Sequence, residues 1–432
     1  MTFSIGRREF LMGSTALAAA AALGGPARAA AERMRLIFWG GQARADRTYG
    51  VTDLYTKASG TAIEGDFAAF GDYWPKLATQ VAGGNSPDVI QMDYRYIVEY
   101  ATRGSIAPLD EFVGNALDLS DFDADQLEGG KVDGKLYGIS LGANSAANLL
   151  NVAAFEEAGV ELPTRDFSYA DLPALAEKFN SGNKRAGMKV WSDNSFLEPA
   201  LENFLRQRGK ALYTADGQLA FDVEDAVAWF QLWADLRAAG VTVSPEDQAL
   251  DANDAIETTM ITLGKAASTY AHSNQLVGFQ AANKDPLTLI NYPRIAAGTG
   301  GGHYRKPSMF FSVGGSSTIK EDAAKFINFF IGTAEAGAIL GVERGIPCDA
   351  STRAAIAPGL DAQSQAALSY VSNLGDLLGA LPPPPPQAAG EISNPLLRTK
   401  AQEVGFGQLT PEQGGEQFHA EAAAILARAK QS

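Results

Sequence analysis

Apolar residues in the first hundred positions alternate between short continuous runs and helical spacing. Arg35 to Trp39 is an apolar run that ends at Gly40-Gly41, and Leu77 and Val81 stand four residues apart, as on one helical face. The pattern predicts strands at 35–39, 61–67 and 89–92 and helices at 43–58, 74–81 and 97–103. Strand, helix, strand, helix, strand is typical of a parallel, doubly wound sheet whose strands are covered on both faces.

A second block of elements begins near residue 135. Asp222 stands where it would cap a long helix, and from Glu321 onward the chain is almost entirely helical in pattern. The predicted elements of this block are helices at 169–179, 196–208 and 223–239 and strands at 188–191, 264–270, 287–292 and 309–313.

Five consecutive prolines, Pro382 to Pro386, interrupt the helical tail. A proline run cannot be helical and adopts a stiff polyproline II conformation. We interpret it as a spacer over the surface, with a ligand segment for an SH3-like domain as the alternative.

Residues 1–30 have the pattern of an export signal. Arg7-Arg8 precede Phe10-Leu11, an Ala-rich apolar stretch follows, and Ala27-Arg28-Ala29 resembles a cleavage site. Twin arginines indicate the Tat route, and an N-terminal anchor helix is the alternative. The signal contains no cysteine for lipid attachment, since Cys348 is the single cysteine of the chain. We therefore expect a periplasmic protein that is soluble, is not a lipoprotein and has no internal disulfide.

The composition is that of a soluble globular protein with 432 residues, 46% of them hydrophobic, and a net charge of −15. The negative charge argues against a nucleic-acid partner, because nucleic acids are bound mainly through Lys and Arg. No later segment is apolar for long enough to cross a membrane.

Catalytic and metal-binding patterns do not stand out. The three histidines lack metal spacing, and the glycine run at 298–303 lacks the Lys-Ser/Thr of a phosphate-binding loop. Asp88 and Asp93 would lie on opposite faces of a strand, about 16 Å apart, which does not suit a glycosidase pair. The sequence therefore predicts no enzyme, no metal and no cofactor, with a secreted polysaccharide-degrading enzyme as the rival class.

Aromatic and amide residues follow the predicted strands instead. Trp39 leads into Gly40-Gly41-Gln42, and Trp191 leads into Ser192-Asp193-Asn194. Ligands of open α/β sheets bind outside the carboxyl ends of the strands, and aromatic faces with amides and carboxylates suit a sugar. Trp229 and Trp233, four apart on one helix face, are predicted to lie in the core instead.

Several segments together resemble a known family. They are YWPKLATQVAGGNSPDVIQMD at 73–93, DGKLYGISLGANSAANLLNVAAFEEAGVELP at 133–163, GKAASTYAHSNQ at 264–275, INYPR at 290–294 and AAKFINFFIGTAEAGAILGVERGIP at 323–347. In order and spacing they resemble the family 1 extracellular solute-binding proteins of maltose-binding type, the receptors of carbohydrate ABC importers.

The resemblance implies a type II periplasmic-binding-protein fold, an α/β fold of two lobes. Each lobe would have a mostly parallel sheet flanked by helices, with the ligand cleft between them. It places lobe crossings near Gly142 to Ser145, Ala267 to Tyr270 and Ser312 to Ser316. The N-lobe would comprise 31–143 and 271–312, and the C-lobe 144–270 and 313–432.

Taken segment by segment, the resemblance also implies a set of ligand-binding residues. They are Trp39, Gly41, Gln42, Arg44, Phe70, Asp72, Asp93, Arg95, Tyr96, Asn144, Ser145, Trp191, Asp193, His272, Asn274, His303, Tyr304, Arg305 and Arg344.

The expected ligand is a plant-derived oligosaccharide, either a galactoside or a pectin-type uronate fragment. Seven cationic candidates favour a uronate if three or more face the cleft, because Arg binds carboxylates bidentately. They are Arg44, Arg47, Arg95, His272, His303, Arg305 and Arg344. A neutral di- or trisaccharide is an equal alternative, and a non-sugar solute such as a polyamine is another. The implied partner is the membrane permease of an ABC transporter, and we expect a monomer.

Overall fold

The structure is a computed structural model that describes residues 33–251, 256–296 and 299–430. The export signal predicted for residues 1–30 lies outside this part of the chain. The strands are β1 Met34–Trp39, β2 Ile63–Ala68, β3 Val89–Met92, β4 Ile106–Ala107, β5 Lys131–Val132, β6 Lys135–Leu136, β7 Ile139–Ser140, β8 Ala143–Asn144, β9 Ala146–Asn151, β10 Ser268–His272, β11 Leu287–Ile290, β12 Lys306–Pro307 and β13 Phe310–Gly314.

Helices connect and cover these strands. The α-helices are Gln42–Ser59, Phe70–Ala82, Ile97–Thr102, Ala124–Glu128, Val152–Ala158, Leu172–Gly182, Glu198–Gln207, Val223–Ala238, Pro245–Gln248, Leu276–Ala282, Lys320–Gly332, Ala334–Leu340, Ala350–Ile356, Ala362–Ser372, Ala389–Glu391, Leu397–Gly405 and Pro411–Ala429. Short 3-10 segments occur at Asp110–Phe112, Tyr169–Asp171, Ile256–Thr258, Ser273–Gln275, Ala357–Gly359 and Gly375–Leu377, and a π-helical segment at Ile392–Leu396.

The strand β1 is buried between two layers of helices. Successive residues of a strand point to opposite faces. Phe38 therefore packs in the core that includes helix Gln42–Ser59, and Ile37 packs in the core that includes helix Phe70–Ala82. This two-sided burial explains the continuous apolar run that predicted the strand.

The N-lobe sheet has the order β2-β1-β3-β13-β4, and β7 also pairs with β13. The strands β1, β2 and β3 are parallel, as their pattern predicts. The strand β13 comes from far along the chain and lies antiparallel to β3, with Val313 opposite Val89. The predicted strand–helix alternation is confirmed, and the sheet is completed by a distant segment.

The C-lobe contains a smaller sheet of order β10-β9-β11, whose pairs are antiparallel. Parallel pairing occurs in this lobe at the isolated bridges Lys189–Ala266 and Trp191–Thr242, so the strand predicted at 188–191 forms only bridges. Trp229 and Trp233 are buried in the C-lobe core, as predicted from their spacing.

The grouping of segments into lobes differs from the predicted boundaries. Between β7 and β9, near Gly142 to Ser145, the chain passes from the N-lobe sheet to the C-lobe sheet. However, β10 and β11 both pair with β9, so the chain stays in the C-lobe through Ile290. Helix Lys320–Gly332 packs in the N-lobe core, because β13 has returned the chain to the N-lobe sheet.

None of the described helices is long and apolar enough by itself to cross a membrane. The helices Lys320–Gly332 and Ala334–Leu340 meet the length and composition only as a pair, and they are bent by 70° at their junction. Phe326 and Phe330 of the first of these helices are buried in the N-lobe core.

Candidate functional site

A cavity of about 390 Å³ lies between the two lobes. Tyr94 and Arg95 line it from the N-lobe, where β3 ends. This is the position at which open α/β sheets bind ligands, outside the carboxyl end of a strand. Most of the remaining wall comes from the C-lobe.

Glu198 and Glu202 of helix Glu198–Gln207 line the cavity. Residues four apart occupy the same helix face, so the two carboxyl groups lie side by side. The hydroxyl of Tyr304 donates a hydrogen bond of 2.8 Å to Glu202. Burial, reinforced by the charge of Glu198, raises the pKa of Glu202 to about 7. Burial also raises the pKa of Glu198.

Lys306 lines the cavity from the short strand β12, which pairs with β8. Its charge acts on both Glu198 and Glu202 and lowers their pKa values against the effect of burial. The preceding residue, Arg305, forms ion pairs with Asp123 and Asp125. Lys306 therefore faces the cavity, whereas the Arg305 side chain is directed away from it.

His272 lines the cavity as a neutral imidazole. Burial lowers the pKa of His272 to about 3, and the positive charges of Lys306 and Arg95 act in the same direction. The Tyr270 hydroxyl lies 3.0 and 3.2 Å from the two ring nitrogens of His272. At neutral pH this imidazole can take part in hydrogen bonds but does not attract an anion.

The proline run forms part of the wall, which corrects the predicted surface spacer. Pro382, Pro383 and Pro385 line the cavity, and the hydroxyl of Tyr94 donates a hydrogen bond of 2.7 Å to the carbonyl of Pro382. The interpretation as a spacer was wrong because sequence periodicity does not reveal that Leu381, just before the run, packs on the N-lobe core.

Three of the residues implied by the resemblance line this cavity: Arg95, His272 and Tyr304. His303 lines a smaller adjoining cavity together with His272 and Tyr304. Burial lowers the pKa of His303 to about 3, so this histidine is also neutral at physiological pH.

A second group forms an aromatic cluster beside the cavity in the N-lobe. Trp39 lies 5.5 Å from Phe70, and Tyr96 lies 4.0 Å from Trp74, measured between ring centroids. The Arg95 guanidinium lies 5.3 Å from the Phe70 ring centroid. Phe70 is 37% exposed, so this cluster offers an aromatic surface at the edge of the cleft.

Asp93 is 7% exposed and does not line the cavity. Its carboxylate accepts hydrogen bonds from the backbone nitrogen and Nε of Arg95, at 2.9 and 3.0 Å. Burial opposes ionisation, but the charges of Arg95 and Lys306 and these hydrogen bonds lower the pKa of Asp93. In this structure, Asp93 contributes to the site by holding Arg95.

The other implied residues lie outside both cavities. Trp191 has no exposed surface and packs in the C-lobe core, and Asp193 pairs with Arg237. Arg344 is buried and donates to the hydroxyl of Thr48. The residues in this group are Gly41, Gln42, Arg44, Asp72, Asn144, Ser145, Trp191, Asp193, Asn274, Arg305 and Arg344.

Sequence reasoning missed most of the C-lobe wall. Glu198 and Glu202 carried a usable signal, because two acids four apart at the start of a helix share one face. Lys306 stands one residue beyond the chosen stretch His303 to Arg305. The missed residues include Asn194, Phe196, Glu198, Glu202, Tyr213, Gln248, Tyr270, Gln275, Lys306, the prolines and Arg398.

Within the described ranges, no three His, Cys, Asp or Glu side chains are grouped so that they could hold a metal ion.

Comparison with known proteins identifies relatives of the whole fold. A family model described as bacterial extracellular solute-binding protein matches residues 51–354. A curated binding protein of Brucella abortus (strain 2308) is 27% identical over 168 residues, which is 39% of this chain and 40% of the relative. The match therefore spans about two fifths of the length of that relative.

Two solved structures cover nearly all of the chain. An extracellular solute-binding protein of family 1 from Alicyclobacillus acidocaldarius subsp. acidocaldarius DSM 446 has a TM-score of 0.74 and 31% identity, covering 91% of this chain and 98% of its own. A periplasmic oligogalacturonide binding protein from Yersinia enterocolitica, in complex with saturated digalacturonic acid, has a TM-score of 0.78 and 23% identity, covering 92% and 99%.

Proposed function

Because the chain belongs to the family of bacterial extracellular solute-binding proteins, we propose that it captures an oligosaccharide between its lobes and delivers it to an ABC transporter permease. The observation that carries the proposal is the interlobe cavity of about 390 Å³. Its volume is in the range of small-molecule sites, and its wall combines aromatic rings with polar groups.

The wall has the chemistry that sugar recognition requires. Phe196 and Tyr270 supply apolar ring surface, and Asn194, Gln248 and Gln275 supply amides that both donate and accept hydrogen bonds. Sugar hydroxyls left unpaired in such a site carry a desolvation penalty, which would discriminate between epimers.

Delivery would depend on closure of the two lobes. A ligand that contacts both lobes favours the closed form through its higher affinity for that form. Arg95 from the N-lobe and Glu202 from the C-lobe are on opposite sides of such a contact. The permease partner, Tat export, a periplasmic location and a monomeric receptor are parts of the same proposal.

The sugar is proposed to be plant-derived, either a galactoside or a uronate fragment. The Yersinia protein with digalacturonic acid supports a uronate by likeness of fold. Of the seven cationic residues considered from the sequence, only Arg95 and His272 line the main cavity, and His272 is neutral. These seven residues therefore do not supply the three cleft-facing cations that would favour a uronate.

Calorimetry on protein freed of co-purified sugar by unfolding and refolding tests the proposal. The panel comprises galactobiose, digalacturonate and putrescine as the polyamine. We expect saturable binding of a sugar, accompanied by a smaller radius of gyration in X-ray scattering. Binding of putrescine alone would contradict the sugar receptor, and binding of neither sugar would contradict a galactoside or uronate ligand.

The positions of Glu198 and Glu202 argue against the rival function, that of a hydrolase. Glycosidases place their two carboxyl groups on either side of the scissile bond. Glu198 and Glu202 lie on one helix and hence on one side of the cavity, which favours binding over cleavage. Release of new reducing ends during incubation with the bound sugar would overturn this assignment.

A further inference from the structure

The cavity is lined by charged side chains of both signs. Arg95 pairs with Asp93, with 3.0 Å between Nε and Oδ1. Arg398 lies beside Asp251 and donates a hydrogen bond of 2.7 Å to its carbonyl. The carboxyl groups of Glu198 and Glu202 also line the cavity, where Arg95 acts on Glu198, Arg206 acts on Glu202 and Lys306 acts on both.

The two carboxyl groups are held together by the fold. They are four residues apart on one helix face, and the Tyr304 hydroxyl, in the loop before β12, donates a hydrogen bond to Glu202. Neighbouring carboxyl groups resist simultaneous ionisation, and a cation placed between them favours the ionised pair. A ligand cation between Glu198 and Glu202 would therefore favour their ionised forms over the partly protonated pair that burial favours.

A separate observation points to a ligand at the same place. Tyr213 lines the cavity, is 4% exposed, and its hydroxyl has no hydrogen-bond partner among the described residues. The charges of both Glu198 and Glu202 act on this phenol. A buried hydroxyl without a partner is unfavourable, so a ligand group beside the two acids would satisfy it.

We propose that the ligand is an amino sugar, an oligosaccharide whose protonated amino group is bound by Glu198 and Glu202. The proposal rests on the oligosaccharide receptor proposed above and assigns an amino sugar in place of the galactoside or uronate. A uronate would bring a further negative charge beside the two acids. A neutral sugar would leave no cation between the two carboxyl groups. An ammonium group favours the ionised pair and donates hydrogen bonds to both carboxylates.

Calorimetry near neutral pH with matched disaccharides tests the proposal. The probes are the β-1,4 disaccharide of glucosamine, its N-acetylated form, cellobiose, digalacturonate and putrescine. We expect the glucosamine disaccharide to bind at least about tenfold more tightly than its N-acetylated form and cellobiose, because charge-assisted hydrogen bonds are the stronger ones.

Two variants test whether Glu198 and Glu202 bind the amino group of the ligand. Glu198→Gln and Glu202→Gln keep the shape of the side chain, and each is expected to weaken binding of the glucosamine disaccharide about tenfold or more. Glu224→Gln, at an exposed position on another helix, is the matched control and is expected to leave the affinity unchanged. Thermal melting of each variant verifies that it is folded.

The outcomes separate the two proposals. Tighter binding of digalacturonate or cellobiose overturns the amino-sugar assignment and keeps the sugar receptor. Putrescine binding without any sugar binding overturns both, as does the absence of binding to any sugar of either panel. Full retention of glucosamine-disaccharide affinity in both folded glutamine variants also overturns the assignment of the ammonium group to Glu198 and Glu202.

Discussion

The carboxylate of Asp93 illustrates how a residue next to a ligand cavity can act through its neighbour. It accepts two hydrogen bonds from Arg95, and Arg95 in turn lines the cavity and lies over Phe70. The Asp93 carboxylate, which the resemblance implied as a ligand-binding group, is already paired with Arg95. Its expected effect on binding is therefore indirect.

Replacing Asp93 with Asn keeps the acceptor for the Arg95 backbone and removes the ion pair. We expect ligand affinity to fall about twofold to fivefold, because partly exposed ion pairs contribute up to about 1 kcal/mol. Calorimetry measures the change, and Asp53→Asn on an exposed helix position is the control. Equal ligand affinities of Asp93→Asn and Asp53→Asn would show that Asp93 stabilises only its own turn and does not contribute to binding.

Cys348 is a buried free cysteine with 2% exposure. Burial raises the pKa of its thiol to about 12. Because the thiolate is the reactive form, we expect a thiol reagent to leave the native protein unlabelled and to label it once urea unfolds it. Rapid labelling under native conditions would show that this part of the N-lobe opens.

At the scale of elements, the proline run connects the two lobes along the cavity. Leu381 packs on the N-lobe core, Pro382 accepts from Tyr94, and Ala389 is buried in the C-lobe core. A polyproline II segment extends about 3.1 Å per residue and resists bending. The run therefore provides a stiff wall with a set length.

Replacing Pro383, Pro384 and Pro385 with Gly-Ser-Gly tests this wall. We expect ligand affinity to fall about tenfold, because a flexible segment must be ordered on binding at a cost of about 1–2 kcal/mol per residue, part of which is recovered. Calorimetry gives the affinity, and Pro358→Ser at an exposed position is the control. Unchanged affinity would mean that the wall needs no stiffness.

At the scale of the whole molecule, two buried neutral histidines link stability to pH. Burial lowers the pKa of His272 and His303 to about 3, from an ordinary value of 6.5. The unfolded chain therefore binds more protons than the native protein below about pH 6.5. Their contribution to stability is complete above that pH and decreases as the pH falls.

His303→Gln removes one of these groups and keeps a hydrogen-bond acceptor for the backbone nitrogen of Tyr292. Between about pH 7 and pH 5, we expect the wild type to lose about 2 kcal/mol more unfolding free energy than the variant. Glu202 has the opposite effect, because its raised pKa makes the protein less stable as the pH rises toward 7. This effect is the same in the wild type and in the His303→Gln variant, so it does not change the difference between them. Urea unfolding at several pH values measures the difference, and parallel pH profiles would contradict the assignment.

The sequence by itself determined the local elements of this protein. Val89–Met92 is the strand that its apolar run predicts, Trp229 and Trp233 share the buried helix face that their spacing predicts, and Asp222 forms the capping box of its helix. These features depend on residues within a few positions of one another, through strand burial, helical periodicity and capping. The resemblance of ordered segments supplied the family and the two-lobe fold.

Only the tertiary structure decided which side chains meet in the cavity. The pairing of β12 with β8 directs Lys306 inward and Arg305 outward, and the contacts of Leu381 bring the prolines against the cleft. The antiparallel addition of β10 and β11 to β9 likewise set the extent of the C-lobe. Each of these outcomes depends on register and packing between segments more than a hundred residues apart, which local patterns do not encode.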